Sequence, residues 1–337
     1  MKKRNRLEWI DIAKGIGIIC VVYAHVFSDM ISNAIFIFHM PLFFFIGGYL
    51  INNTPQENYL KNKAQQLLIP YASYLLIFSI AKIINLYLHD SLTQQIIIRT
   101  AINMIVGGRA LIEVFGVFWF VTCFFITQQI FKKIIEKKTI TQISIYAVLL
   151  LIIGIALPMI SQKFWLPLNI NVVPVAIFFF SAGYLYKKNI HGTIENHPAT
   201  TIATGSILFL ISIYLFGINN LRMDMKSSIY GIPVISEITA LITIISIIAL
   251  SIKLQRKPLI AKALSIFGVS SMTIMFTHQA VHIFFENILA KYVVFALACI
   301  IPLALHSIFK TSKITSKCLL GETEKSITKP IPTRVVI

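Results

Sequence analysis

Apolar runs of about 16–23 residues recur along the chain between short polar segments, and runs of that length suit a hydrocarbon core about 30 Å thick. They predict spans at about 10–30, 34–51, 67–88, 113–131, 141–160, 171–186, 200–216, 230–252, 263–285 and 292–309. The first two are separated only by Ile31-Ser32-Asn33, so they form a tight hairpin. A shorter run, near 96–106 with Arg99 and Arg109 toward its ends, cannot cross and reads as an interfacial or re-entrant helix on the outer face. The fold class expected is an all-α polytopic membrane protein with about ten transmembrane helices. Its parts are a basic cytoplasmic N-terminus at 1–9, a ten-span membrane domain at 10–309 and a basic cytoplasmic tail at 310–337.

Composition agrees with this pattern: the 337 residues are 57% hydrophobic and 13% charged, with a mean hydropathy of +0.80. A net charge of +17 would suggest nucleic acid in a soluble protein. Here the cations sit in short loops between apolar runs, so the charge reads as topology and no nucleic-acid partner is expected. With both termini inside, Lys82, Arg99, Arg109, Lys163, Arg222, Lys226 and Lys291 fall on or near the outer side, and the rest of the 30 Lys and Arg fall inside. The first apolar run lacks a small-residue cleavage site and is expected to remain as a span. No appended soluble domain and no internal repeat are expected. The four cysteines, Cys20, Cys123, Cys299 and Cys318, show neither CxxC nor Cys/His metal spacing, so no metal and no disulfide is expected.

Ionisable residues inside apolar runs are costly and mark candidate sites. Asp11-Ile-Ala-Lys14-Gly, followed by His25, places an acid, a cation and an imidazole in the first span. At about 100° and 1.5 Å per residue, Lys14 and His25 share one helix face roughly 16 Å apart. Taken alone, Lys14 equally suits a lysine snorkelling to the headgroups, and His25 a histidine bonded to a neighbouring helix. Counting depth from the span ends brings His25, His39 and His278 to one level in the outer half of the membrane. Three imidazoles at one level suit abstraction of a proton from a weakly acidic hydroxyl.

Asp29, one turn beyond His25, is a candidate to orient its ring or raise its basicity. Glu113 is a candidate contact for a polar substrate at the outer mouth, although an ion pair with Arg109 accounts for it equally. Trp119, in Phe118-Trp-Phe120, is a second candidate contact, with aromatic packing as the plainer reading. His282, His89, His191, His197 and His306 read as solvated or packing residues. Lys14 and its basic surroundings suit an anion at the inner mouth, most naturally the phosphates of a cytoplasmic cofactor. Walker A, dinucleotide-glycine and serine-elbow motifs do not occur, which counts against nucleotide hydrolysis and lipase-like chemistry.

Asp11-x-x-Lys14-Gly with His25 eleven positions after Lys14, then Phe36-Ile-Phe-His39-Met40-Pro41-Leu-Phe-Phe-Phe-Ile-Gly47-Gly-Tyr-Leu50, resembles the acyltransferase-three family of bacterial inner-membrane proteins, in its fucose 4-O-acetylase-like branch. Phe118-Trp-Phe120 and Thr277-His278 fall where that family carries a Trp-Phe pair and a late His. The resemblance implies transfer of an acyl group, usually acetyl from acetyl-CoA, to an extracytoplasmic glycan or lipid-linked sugar. It makes His25 the base, with Lys14 in the place of the family's Arg or Lys, His39 in the branch motif and His278 as the late His; Asp11 and Lys14 are the expected donor-binding residues. Gly47 departs from the family, in which many members have Ser. Many members also have a C-terminal hydrolase-like domain; none is expected here, so the protein is expected either to act alone or to pass the acyl group to a separate extracytoplasmic transferase. Membrane lipids are the remaining partner. The rival reading is a proton-coupled transporter, flippase or export component for a lipid-linked sugar or polysaccharide, with the histidines as a proton relay. A scaffold without chemistry would leave the buried Lys and His unexplained.

Overall fold

The computed structural model describes residues 7–54, 57–160 and 165–323. The basic residues of 1–6, Lys163 and the end of the tail at 324–337 lie outside the described residues. Fifteen helices follow in chain order: α1 Glu8–Val26, α2 Met30–Leu50, α3 Tyr59–Leu88, α4 Gln94–Val106, α5 Trp119–Lys137, α6 Ile140–Ile160, α7 Val173–Asn189, α8 His191–Asn196, α9 Pro198–Phe216, α10 Ile218–Leu221, α11 Ile235–Leu254, α12 Pro258–Val269, α13 Ser271–Phe285, α14 Lys291–Phe309 and α15 Lys313–Leu320. Among the described residues nine helical segments are long and apolar enough to cross a membrane, and a tenth arises if α12 and α13 together count as one.

That pair departs from the straight span expected at 263–285, because α12 and α13 meet at 73°. Two packing demands explain the break. A methyl group on Gly15 would run into the Leu264 carbonyl, and one on Gly268 into the Asp11 carbonyl, so α12 lies backbone to backbone along α1. Beyond the buried Ser270, the chain turns so that α13 packs on α14 and brings His278 to α1.

Other departures are local. The hairpin turn sits at 27–29 rather than 31–33, because Asp29 caps α2: its carboxylate accepts from the Ser32 amide at 2.8 Å, and the Ser32 hydroxyl donates to the Phe27 carbonyl at 2.6 Å. The expected span 113–131 begins instead with a 3-10 turn, Glu113–Phe115, before α5. Tyr230 lies in the loop before α11. Helix α4 buries none of its residues, so it lies on the surface of the bundle.

The bundle has an inner and an outer layer. In the most apolar windows 67% of α1 is buried against 6% of α9, so α1, α2 and α7 form the core while α9 faces lipid. Helices α2 and α7 also cross closely, Gly48 against the Phe180 carbonyl and Gly183 against the Phe45 carbonyl. The loops segregate to two ends. At the basic end Lys132 donates to the Asn52 and Thr54 carbonyls at 2.8 and 2.9 Å, and Lys187 donates to Asn52 Oδ1 at 2.9 Å. At the other end Asn33 donates to Asn219, Lys226 to the Leu111 carbonyl and Asn171 to Ser228. Alternate loops therefore meet as a serpentine chain of spans requires.

Candidate active site

One cavity of about 720 Å³ joins the two ends. Its basic end is lined by Lys14, Asn52, Tyr59, Lys63 and Gln128, its apolar middle includes Ile18, Val21, Phe43 and Phe124, and its far end includes Glu113, Asp224 and Lys226. His25, Phe36, His39 and Trp119 also line it. Lys14 and His25 thus share one cavity, as their spacing on α1 predicts. The volume falls in the range of small-molecule sites, about 300–1,000 Å³.

Two of the three histidines face this space and the third stands behind them. His25 is half-buried, and its ring centroid lies 5.3 Å from that of His278. His278 is fully buried and does not line the cavity. Its Nδ1 lies 2.8 Å from the Ile274 carbonyl, which can only accept, so Nδ1 carries the proton and Nε2 is left as an acceptor. Nε2 has no partner among the described residues. His39 is buried at the cavity wall with Nδ1 2.9 Å from the Ile35 carbonyl, which likewise makes Nδ1 the donor. Phe36 stands edge-on to both cavity-facing imidazoles, 6.4 Å from His25 and 4.9 Å from His39 between centroids. The Arg222 guanidinium is 4.2 Å from the Phe36 centroid, a cation–π contact.

Asp29 does not orient His25. Its carboxylate is exposed and accepts from the Ser32 amide and hydroxyl and from the Tyr23 hydroxyl, so it closes the hairpin. The Ser32 amide, helped by both hydroxyls, holds it below the ordinary carboxylate value. Glu113 pairs with Lys82 at 2.8 Å rather than with Arg109, because the 3-10 turn swings it toward α3. It still lines the far mouth. Trp119 is buried at the cavity wall. Asp11 stands 3.9 Å from Lys14, one turn before it on α1. Gly47 is demanded by packing, since a side chain there would meet the Phe124 and Phe180 rings.

Several cavity residues lie outside the sequence-based candidates: Tyr59, Lys63, Gln128, Asp224 and Lys226. Burial pulls the Lys226 ammonium below the ordinary lysine value, with Asp224 opposing and Arg109 reinforcing the shift. For Gln128 a signal was present, a polar amide inside the apolar run of α5, but the pair Gln128-Gln129 also resembles the end of a span. Asp224 and Lys226 sit in a turn whose approach to the cavity depends on tertiary folding.

These features define a class: a multi-pass α-helical membrane protein with an internal cavity that carries a lysine toward one end and an imidazole cluster farther along. The chain matches the family model described as Acyltransferase domain (acyltransferase family 3) over residues 7–309, and it belongs to that family. It is 26% identical over 225 residues to the Nodulation protein NolL of Sinorhizobium fredii (strain NBRC 101917 / NGR234), covering 60% of this chain and 54% of the relative. The NolL of Mesorhizobium japonicum (strain LMG 29417 / CECT 9101 / MAFF 303099) is 25% identical over 205 residues, covering 55% and 49%. The chain thus spans about half the length of the curated relatives it matches. No solved structure matches it.

Proposed function

We propose that the protein is a membrane O-acyltransferase of the bacterial cytoplasmic membrane, which moves an acyl group, most simply acetyl, from acyl-CoA at the basic end to a hydroxyl of an extracytoplasmic glycan or lipid-linked sugar at the other. The observation that supports this most strongly is the single cavity holding Lys14 and His25 with an apolar passage between them. Family membership supports the acyl-transfer class. In this reading the basic end and both termini face the cytoplasm, where the Lys and Arg excess belongs.

Lys14 sits at the entry for the CoA phosphates as a point charge, while the apolar middle admits the thioester arm. At the histidine level the acceptor hydroxyl gives its proton to His25, its oxygen attacks the thioester carbonyl carbon, and the carbon–sulfur bond breaks. The CoA thiolate then takes a proton from the imidazolium, which restores the base. His25 suits this role because its half-buried ring reaches the cavity. His278 Nε2, an acceptor behind it, positions His25 once the two rings, 5.3 Å apart between centroids, close to hydrogen-bond distance: an N–H then donated to Nε2 leaves the other ring nitrogen to face the hydroxyl. His39 and Trp119 flank the acceptor, and Glu113 with Asp224 and Lys226 frames its entry.

Sidedness tests the proposal. Proteoliposomes of defined orientation, with radiolabelled acetyl-CoA supplied only at the basic face and envelope glycan only at the other, are expected to label the glycan. Glycan that crosses the membrane unlabelled would instead support a transporter.

A further inference from the structure

We propose that Gln128 binds an amide of the donor's arm, making the basic half of the cavity a subsite for a peptide-like thioester tether; the proposal rests on the acyl-CoA reading above. Two cavity-lining residues have a buried side-chain polar atom without a hydrogen-bond partner among the described residues: Tyr59 through Oη and Gln128 through Oε1. Gln128 is 7% exposed, and buried polar groups are normally paired because leaving them unmet is costly. A buried, unmet carbonyl oxygen on a residue of the cavity wall therefore points to a ligand N–H that completes it.

The chemistry of the surroundings narrows the ligand. The unmet oxygen accepts, so it complements an N–H donor such as that of a secondary amide. A phosphate would be served better by the lysines at the entrance, and a plain acyl chain would leave the amide unmet. Phe124, one turn away on α5, and Leu50 and Leu67 give the same part of the cavity an apolar wall. Along α5, Gln128 lies roughly 13 Å from Trp119 toward the basic end. An apolar passage with an unmet amide oxygen and a lysine-bearing entrance suits a chain of methylenes interrupted by secondary amides and ending in phosphates. The pantetheine arm of CoA has that constitution. Gln128 would thereby favour carriers with an amide-bearing arm over simple thioesters.

The test is equilibrium binding to full-length purified protein in nanodiscs, with two probes: acetyl-CoA, which has the arm, and adenosine 3′,5′-bisphosphate, which has the phosphates without it. Gln128→Met keeps the length of the side chain and removes the amide. It is expected to weaken acetyl-CoA by about tenfold, the size of one well-made hydrogen bond, and to leave the bisphosphate within twofold. Gln128→Asn, a methylene short, is the second variant should the Met protein fail to fold, with the same selective loss expected. Unchanged acetyl-CoA binding, or equal loss for both probes, would overturn the subsite. Failure of wild type to bind acetyl-CoA at all would overturn the donor reading beneath it, a separate and distinguishable result.

Discussion

The basic end and the histidine level of the cavity both place ionisable side chains inside apolar helices, yet they use them in opposite ways. Lys132 is 4% exposed, and its ammonium donates to the Asn52 and Thr54 carbonyls and meets Glu136 at 3.1 Å. Lys187 donates to Asn52 Oδ1 and lies over the Tyr49 ring. Both tie down the segment at residues 52–54 that follows α2. Around His25 the pattern reverses: its half-buried ring reaches the cavity, and His278 Nε2 behind it is unmet among the described residues. A buried ionisable group holds the fold when its partners are protein atoms, and it is available for chemistry when they are missing.

Substitutions at the two regions should therefore separate activity from stability. The largest effect is expected at His25: His25→Ala should lower turnover at least a hundredfold, the usual contribution of a positioned base, with acetyl-CoA binding within about twofold. Next, His278→Phe should lower kcat by tenfold or more with little change in KM, as loss of an orienting partner does. His278→Gln should recover most of that loss, since its amide oxygen can replace Nε2 as acceptor; equal loss in both variants would leave His278 as packing alone. Lys14→Gln should raise the acetyl-CoA KM by about tenfold at nearly constant kcat, measured by initial rates across donor concentration.

At the basic end the sign of the contrast changes. Lys132→Met should cost about 1–3 kcal/mol of stability, because two carbonyls lose their donor, and thermal unfolding in detergent should read it. The folded fraction should turn over at close to the wild-type rate. The smallest effect is expected at Asp29→Asn, which keeps a capping side chain on α2. Its turnover should stay within twofold of wild type, and a large loss would return Asp29 to a role beside His25.

The apolar spans were legible in the sequence because membrane depth imposes a length and a composition on each crossing. Their ends were less so, because a cap such as Asp29, or a 3-10 turn such as Glu113–Phe115, decides the boundary through local hydrogen bonds. The 73° break after Val269 had no proline to announce it; its cause is the close approach of Gly15 and Gly268, two residues far apart in the chain. In the site, the shared cavity of Lys14 and His25 and the nearness of His278 to His25 were legible from spacing and from depth counted along the spans. The partners did not. That Asp29 turns to Ser32 and Tyr23, that Glu113 finds Lys82, and that Gln128 lines the cavity with its Oε1 unmet all depend on which helices become neighbours.

The central claim, that His25 is the base of a thioester-dependent acyl transfer, is tested most directly by supplying radiolabelled acetyl-CoA and envelope glycan to wild-type protein and to His25→Ala in liposomes, following thioester loss and label in glycan and protein. Wild type should consume thioester and label the glycan without labelling itself, while His25→Ala should bind acetyl-CoA and do neither. Undiminished turnover in His25→Ala would contradict the assignment of the base.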